Sequence, residues 1–370
     1  MSKISYFTPQ ITKEDINKVS KTLSSKWIST GQEVLKLEKD FSKNLKVNHN
    51  KCVAVSSGFS ALHLACHLAG IKSEDEVLIQ TINFVAIANI LKNLDAKIKF
   101  VDCESKTNPN ISVEDLEKKI SEKTKVVVTM HYGGYPCDMK KILQLQRKYK
   151  FCLIEDACHA IFSSYSKKKL GSFGNFSSFS FYANKNMTCG EGGMLYCRSI
   201  RNAKRARFLK THGLNRTSLS HYKNLQNKYE VNEAGFNYRL DEIRAALARS
   251  QLNRIKKNNL IRHKIFVKYN KHLKKNNRIN IAFSKYTKNN FSRHLYVIIS
   301  NNKKKIIRAL NKNRIGHSNH YKPIHKLIAH KKKLKMKNSD YIDNKIISLP
   351  IYPGLGLKKV EKICKIINLC

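Results

Sequence analysis

Three short segments carry side chains able to do chemistry. Ser56-Ser57-Gly58-Phe59-Ser60 combines hydroxyls with a glycine. At the start of a helix, the free N–H groups of such a turn hold a phosphate, although a Gly/Ser turn also serves simply to pass from strand to helix. Phe151-Cys-Leu-Ile-Glu155-Asp156-Ala-Cys-His159 ends an apolar run in two carboxylates, with a histidine three residues on. A carboxylate there can pair with a cationic ring nitrogen or a metal, or it can cap a helix. Nothing nearby completes a metal shell, so no metal is expected. Phe176-Ser-Ser-Phe-Ser180-Phe-Tyr-Ala-Asn-Lys185 is an aromatic stretch leading into a lysine, with Gly190-Glu-Gly-Gly193 following. Burial lowers a lysine pKa and makes its amine a nucleophile towards aldehydes.

The elements that must position these segments alternate as in an α/β protein. Lys51–Val55 reads as a strand, followed by a helix over Ala61–Ala69. Glu76–Gln80 reads as a strand, followed by a helix over Phe84–Leu94. Lys97–Val101, Lys125–Met130 and Phe151–Ile154 read as further strands, with a helix over Lys140–Lys150. This order implies a mostly parallel sheet with right-handed crossovers, and in such a sheet the chemistry sits where the strands end. Leu240–Ile255 is apolar at helical period and reads as a bridge to a second domain beginning near residue 250. A phosphate cradle, a carboxylate for a pyridine nitrogen and an amine for an aldehyde are together what pyridoxal 5'-phosphate (PLP) requires of a protein.

Composition narrows the classes. The chain has 370 residues and is 41% hydrophobic, enough for a sizeable core. No run of 18 apolar residues occurs and the N-terminus carries no continuous apolar segment, so neither a transmembrane helix nor a secretory signal is expected. The ten cysteines show no CxxC pair and no zinc spacing, which suits reduced thiols in the cytoplasm. Lys plus Arg number 71 against 26 Asp plus Glu, a net charge of +45. From residue 251 to the end, 31 bases face three acids. A basic surface attracts polyanions, but these lysine runs lack the interleaved aromatics of a single-strand binder. Abundant Lys, Asn and Ile also fit compositional drift.

With the three segments in place, the chain resembles the DegT/DnrJ/StrS family of PLP-dependent sugar aminotransferases along nearly its whole length. The resemblance rests on Trp27-Ile-Ser-Thr-Gly31, the Ser-Gly turn with Ala61-Leu-His63, Asp75-Glu-Val77, Asn83-Phe84-Val-Ala86 and Phe100-Val-Asp102. It continues through His131-Tyr-Gly-Gly134, Glu155-Asp-Ala157, Phe179-Ser-Phe181 with Lys185, Gly190-Glu-Gly-Gly193, His212-Gly213 and Gly235-Phe-Asn-Tyr-Arg239. Tyr321 with Pro323 and His325, and Leu349-Pro-Ile-Tyr-Pro353, complete it. Phe59 stands where the family usually has Thr, Tyr182 where His is common and Ala248 where Gly is common.

The resemblance implies fold type I: a large PLP-binding domain over residues 1–250 with a mostly parallel sheet flanked by helices, and a smaller α+β domain over 251–370. It implies a homodimer with shared active sites. Lys185 matches the lysine that binds the cofactor and moves protons, and Asp156 matches the partner of the pyridine nitrogen. Phe84 matches the aromatic on the ring face, and His159 a position near the ring hydroxyl. Gly58, Phe59, Ser60 and Ser180 match the phosphate contacts, and Asn237 matches a contact delivered by the neighbouring subunit. Tyr321 and His325 match a loop near the sugar. On residue type alone, Phe84 also suits a core, His159 a satisfied buried histidine, and Tyr321 and His325 ordinary loop positions. The implied reaction moves an amine, from glutamate, to a nucleotide-linked keto-sugar in the biosynthesis of a surface polysaccharide or glycan. A PLP-dependent sugar dehydratase is a competing reading, although that branch has His in place of the lysine. A basic nucleic-acid-binding or regulatory protein on an aminotransferase scaffold is another. No membrane partner and no specific nucleic acid are expected.

Overall fold

Short runs rich in Val, Ile and Phe become strands, because β-branched and aromatic side chains pack well on a pleated surface. The computed structural model of the protein describes residues 3–214 and 230–370. Its strands in chain order are β1 (Cys52–Val55), β2 (Glu76–Gln80), β3 (Lys97–Val101), β4 (Cys103–Ser105), β5 (Asn108–Ile111), β6 (Thr124–Met130) and β7 (Cys152–Asp156). They continue as β8 (Ser164–Tyr165), β9 (Lys168–Lys169), β10 (Phe176–Ser180), β11 (Gly193–Cys197), β12 (Ile279–Ile281), β13 (Tyr296–Ser300) and β14 (Ile346–Leu349).

The main sheet has seven strands in the order β1-β11-β10-β7-β6-β2-β3. The pairs β10–β7, β7–β6, β6–β2 and β2–β3 are parallel, whereas β11 runs antiparallel to both β1 and β10. The expected mostly parallel sheet is therefore present, with β11 reversed. A parallel return needs a crossover, usually a helix. The segment between β10 and β11 contains no helix; it holds Lys185 and the Gly-rich turn instead.

Both faces of the sheet are covered, so its strands read as unbroken apolar runs. Val53, Val55, Val77, Ile79, Val126, Val128 and Ile154 pack with helices Gly58–Leu68, Ala86–Asn93 and Ile200–Leu209. Their alternate neighbours Ala54, Leu78, Val127 and Leu153 pack on the other face with Phe41 and Leu45 of helix Gln32–Leu45 and with Ile142 of helix Met139–Tyr149. A third core gathers the antiparallel sheet β12-β13-β14, helix Leu357–Asn368, and Tyr132 and Tyr135 from beyond β6.

The helix boundaries differ from the sequence reading by one to three residues: the helix expected over Phe84–Leu94 spans Ala86–Asn93, and that over Lys140–Lys150 spans Met139–Tyr149. The helix expected from Ala61 begins at Gly58, because the Ser57 hydroxyl accepts from the Ser60 N–H and caps it. The helix expected over Leu240–Ile255 spans Glu242–Asn253, and beyond Arg254 a second helix, Ile255–Leu273, follows it.

Candidate active site

The carboxyl ends of β1, β2, β6, β7 and β10 converge on a cavity of about 440 Å³, and its walls bring together most of the residues singled out in the sequence. Gly58 and Phe59 border it at the start of helix Gly58–Leu68, with Ser57 just ahead of them. Ser60 lies one residue further and is buried, its hydroxyl 2.9 Å from those of both Ser56 and Ser57. The first N–H groups of a helix have no backbone partner within it; the Ser60 N–H is taken by the Ser57 hydroxyl, which leaves those of Gly58 and Phe59 to meet an anion here. Ser180 closes the cradle from β10. A Cβ added to Gly58 would lie 2.7 Å from the Ser180 Cβ, and one on Gly193 would lie 2.4 Å from the Ser57 carbonyl oxygen. Glycine at these two positions is what lets β10 and β11 approach the helix start.

At the far side of the cavity, β7 contributes Asp156. The strand includes both carboxylates rather than ending before them, and alternation sends them to opposite faces. Asp156 borders the cavity, and its Oδ1 accepts from the Cys158 N–H at 3.1 Å. Glu155 points away, fully buried, and accepts from the N–H groups of Gly171, Phe173 and Gly174 and from His131 Nε2 at 2.9 Å. Burial opposes the His131 imidazolium, but Cys137 and Glu155 outweigh it and push its pKa up to about 10. Burial would raise the Glu155 carboxyl; His131 and the backbone N–H groups hold it below its ordinary value instead. Of the two adjacent acids, one organises the turn after β9 and the other faces the cavity.

Lys185 is half-buried and lines the cavity five residues beyond β10. Burial holds its ammonium below the ordinary lysine pKa, with Cys158 and Asp156 opposing that shift. A lowered pKa puts more of the amine in its neutral, nucleophilic form. His159 is buried, with Nε2 3.0 Å from the Tyr321 hydroxyl and Nδ1 facing the Gly133 N–H at 3.4 Å. Burial, together with the charge of Lys185 and the neighbouring His320, keeps its pKa well below the usual value, so the ring is neutral. With Nδ1 facing a donor, the hydrogen belongs on Nε2, which then donates to Tyr321.

Phe84 is 55% exposed at the cavity wall, so it is not a core residue. Its ring lies 5.8 Å from that of Tyr321. Asn237 is exposed, accepts from Arg239 Nε at 3.1 Å and does not line this cavity. His325 is not brought to the cavity either; it is buried against Thr81. Several wall residues went unremarked in the sequence, three of them titratable. His320 precedes Tyr321, and burial and Lys185 push its pKa down to about 4. Glu191 stands inside the Gly-rich turn, and Cys158 lies between Asp156 and His159. The signal for each was its adjacency to a residue already selected. Among the described residues, no group of three or more His, Cys, Asp or Glu side chains is placed to hold a metal ion.

The arrangement fits PLP on this chain's own geometry: an anion cradle built by close glycine approach, a lysine of lowered pKa, a carboxylate and an exposed aromatic face one cavity. The comparisons agree with that chemistry. The model of the DegT/DnrJ/EryC1/StrS aminotransferase family matches residues 9–368. GDP-perosamine synthase of Escherichia coli O157:H7 is 31% identical over 381 residues, covering 100% of this chain and 98% of that protein. Among solved structures, the Helicobacter pylori aminotransferase PseC, involved in the biosynthesis of pseudoaminic acid, superposes with a TM-score of 0.91 at 28% identity, over 99% of this chain and 98% of its own. Spr1654 of Streptococcus pneumoniae in its PLP form does so with a TM-score of 0.90 at 25% identity, over 100% and 98%.

Proposed function

The chain belongs to the DegT/DnrJ/EryC1/StrS aminotransferase family, and from that premise we propose that it uses PLP to move an amino group from glutamate to a nucleotide-linked keto-sugar. The observation that carries this reading is Lys185, its pKa lowered by burial, in one cavity with Asp156 and the start of helix Gly58–Leu68. When bound, PLP supplies a carbonyl for the amine and an electron-accepting ring. The helix N–H groups, Ser60 and Ser180 hold the phosphate. Asp156 would supply the negative charge that keeps the ring nitrogen protonated, Phe84 would lie against the ring, and His159 would orient the ring oxygen. Lys185 Nζ would be the amine that holds the cofactor through its carbonyl and, when not so engaged, the base positioned to move a proton at the reacting carbon. Where Phe59 replaces the family's threonine, the Ser56–Ser60–Ser57 hydroxyl cluster supplies the missing polar contact.

In this reading residues 1–250 form the PLP-binding domain and 251–370 a smaller one. Two copies share their sites, and Asn237, exposed here, reaches the partner's phosphate. A cytoplasmic location is part of the same reading; among the described residues no helix is long and apolar enough to cross a membrane. The lysine at 185 speaks against the dehydratase reading. The test is an amine-transfer assay with glutamate and PLP across a panel of nucleotide-linked keto-sugars. Turnover with one or more is expected; none with any, in cofactor-loaded protein, overturns the proposal.

A further inference from the structure

His325 sits away from the cavity, yet it is tied to two of the residues that form it. Its Nδ1 lies 2.6 Å from the Thr81 hydroxyl, and the neighbouring Ile324 N–H donates to the Thr81 carbonyl at 2.9 Å. Thr81 follows β2 directly and stands three residues before Phe84; His325 stands four residues after Tyr321. The loop carrying Tyr321 is thus fastened to the strand end carrying Phe84, and the two rings meet 5.8 Å apart at the cavity wall. Thr81, Ile324 and His325 are all buried, at no more than 1% exposure. The Lys332 N–H holds the His325 carbonyl at 2.9 Å, which fixes the histidine from its other side.

Asp340 completes the arrangement. Its Oδ1 lies 3.6 Å from His325 Nε2, and the same carboxylate accepts from Lys326 Nζ and the Met336 N–H. A carboxylate on that side favours the hydrogen on Nε2, which leaves Nδ1 to accept the Thr81 hydroxyl. Aspartate, histidine and a hydroxyl in series are the parts of a nucleophilic relay. This one is closed off, however: Thr81 is completely buried and does not line the cavity, so its hydroxyl has no substrate to attack. What the series can do is hold two loops in register.

We propose that Thr81 and His325 form a buried clamp that sets the spacing of Phe84 and Tyr321, making His325 a positioning residue for substrate binding rather than a contact to substrate. The kinetic part of this assignment rests on reading the cavity as the amine-transfer site; the clamp itself does not. The clamp predicts that the two loops loosen together when either partner is removed. In the full-length protein, Thr81→Val deletes the hydroxyl at constant shape and His325→Ala deletes the acceptor. Amide exchange of segments 82–84 and 321–325, followed by mass spectrometry, is expected to accelerate in both segments in either variant. KM for the keto-sugar is expected to rise about 5- to 10-fold with kcat within about twofold, the signature of lost uniform binding. The double variant is expected to be no worse than the worse single one, because partners in one contact are not additive. His325→Gln, which keeps an acceptor near Thr81, is expected to recover most of the exchange protection and of KM.

Independent loosening of the two segments, or multiplying effects in the double variant, overturns the clamp. So does an unchanged KM in a Thr81→Val protein that turns over. If His325→Ala does not fold, Thr81→Val and His325→Gln carry the same comparison. If the unmodified protein transfers no amine at all, the proposed function fails while the exchange measurements still decide the clamp.

Discussion

His159 Nε2 and the Tyr321 hydroxyl are 3.0 Å apart across 162 residues of sequence, which joins the segment after β7 to the loop before β14. The neutral imidazole donates and the phenol accepts. Tyr321→Phe therefore leaves a buried N–H without its partner, and an unpaired buried donor costs about 1–3 kcal/mol. Thermal unfolding is expected to shift downwards modestly, and kcat/KM for the keto-sugar to fall about tenfold. Unchanged kinetics alongside a lowered Tm would confine the pair to a structural role.

Lys185 is expected to be the residue that carries the cofactor. PLP-loaded protein treated with borohydride should retain the cofactor covalently, and peptide mapping should find it on Lys185. Lys185→Ala should abolish both the adduct and turnover. An adduct on another lysine, or a Lys185→Ala protein that still transfers amine, contradicts the assignment.

Asp156→Asn keeps the shape of the side chain, including an oxygen able to accept the Cys158 N–H, but removes its charge. The ring nitrogen then loses its counter-charge and the ring its electron-accepting power. Activity is expected to drop by orders of magnitude while the circular dichroism spectrum and Tm stay close to those of the parent. Near-normal turnover would reassign Asp156 to holding the turn.

The residues at the strand ends were legible because a parallel sheet concentrates chemistry there. The segments holding Lys185, the Glu155-Asp156 pair and Gly58 needed only the order of elements to be found, whereas the choice of Asp156 and the role of Ser180 came from the resemblance. Phe84 and Tyr321 came from the resemblance, and the fold puts both on the cavity wall. His325 could not be placed that way. It shares a short loop with Tyr321, but the loop turns at Pro323 and Ile324, where Ile324 enters the core beneath β2, and carries His325 away from the cavity. Nor does sequence spacing tell which of the adjacent Glu155 and Asp156 faces the cavity. That depends on the phase of β7, and the phase became visible only once the strand's end was fixed at Asp156. The reversal of β11 was hidden for a related reason: local pattern identifies a strand, whereas its direction depends on what the connection before it has to carry.

Glu155 and His131 give the fold a pH dependence of definite sign. The folded-state pKa of His131 is raised from 6.5 to about 10, so the stability it contributes is fully present below about pH 6.5 and is lost as pH rises through about 10. Glu155, held below its ordinary 4.5, contributes stability that is present above that value and lost as pH falls through its folded pKa. The parent protein is therefore expected to lose Tm between pH 7 and 9.5, and His131→Gln to lose less over the same interval despite a lower starting Tm. Parallel curves for the two proteins would remove the pair as the cause.

The charge of the C-terminal third gives the last prediction. Its three acids are all engaged, Asp340 and Asp343 with Lys326 and Glu361 with Lys268, so most of its 31 bases face solvent without a counter-charge. Any such surface holds DNA at low salt, because each neutralised phosphate releases counterions. Binding alone is therefore uninformative, and its response to salt is what discriminates. If the charge is drift, DNA binding should be indifferent to sequence and should fall by orders of magnitude between about 50 and 200 mM salt. Amine transfer should change far less, because its contacts lie in a partly desolvated cavity where screening is weak. Titrating salt against both activities in one preparation decides between the readings. A particular DNA or RNA sequence still bound at physiological salt, in excess of competitor, would make nucleic acid a partner in its own right. Loss of binding with amine transfer intact leaves the lysines as a solvated surface, with no part in the chemistry at Lys185.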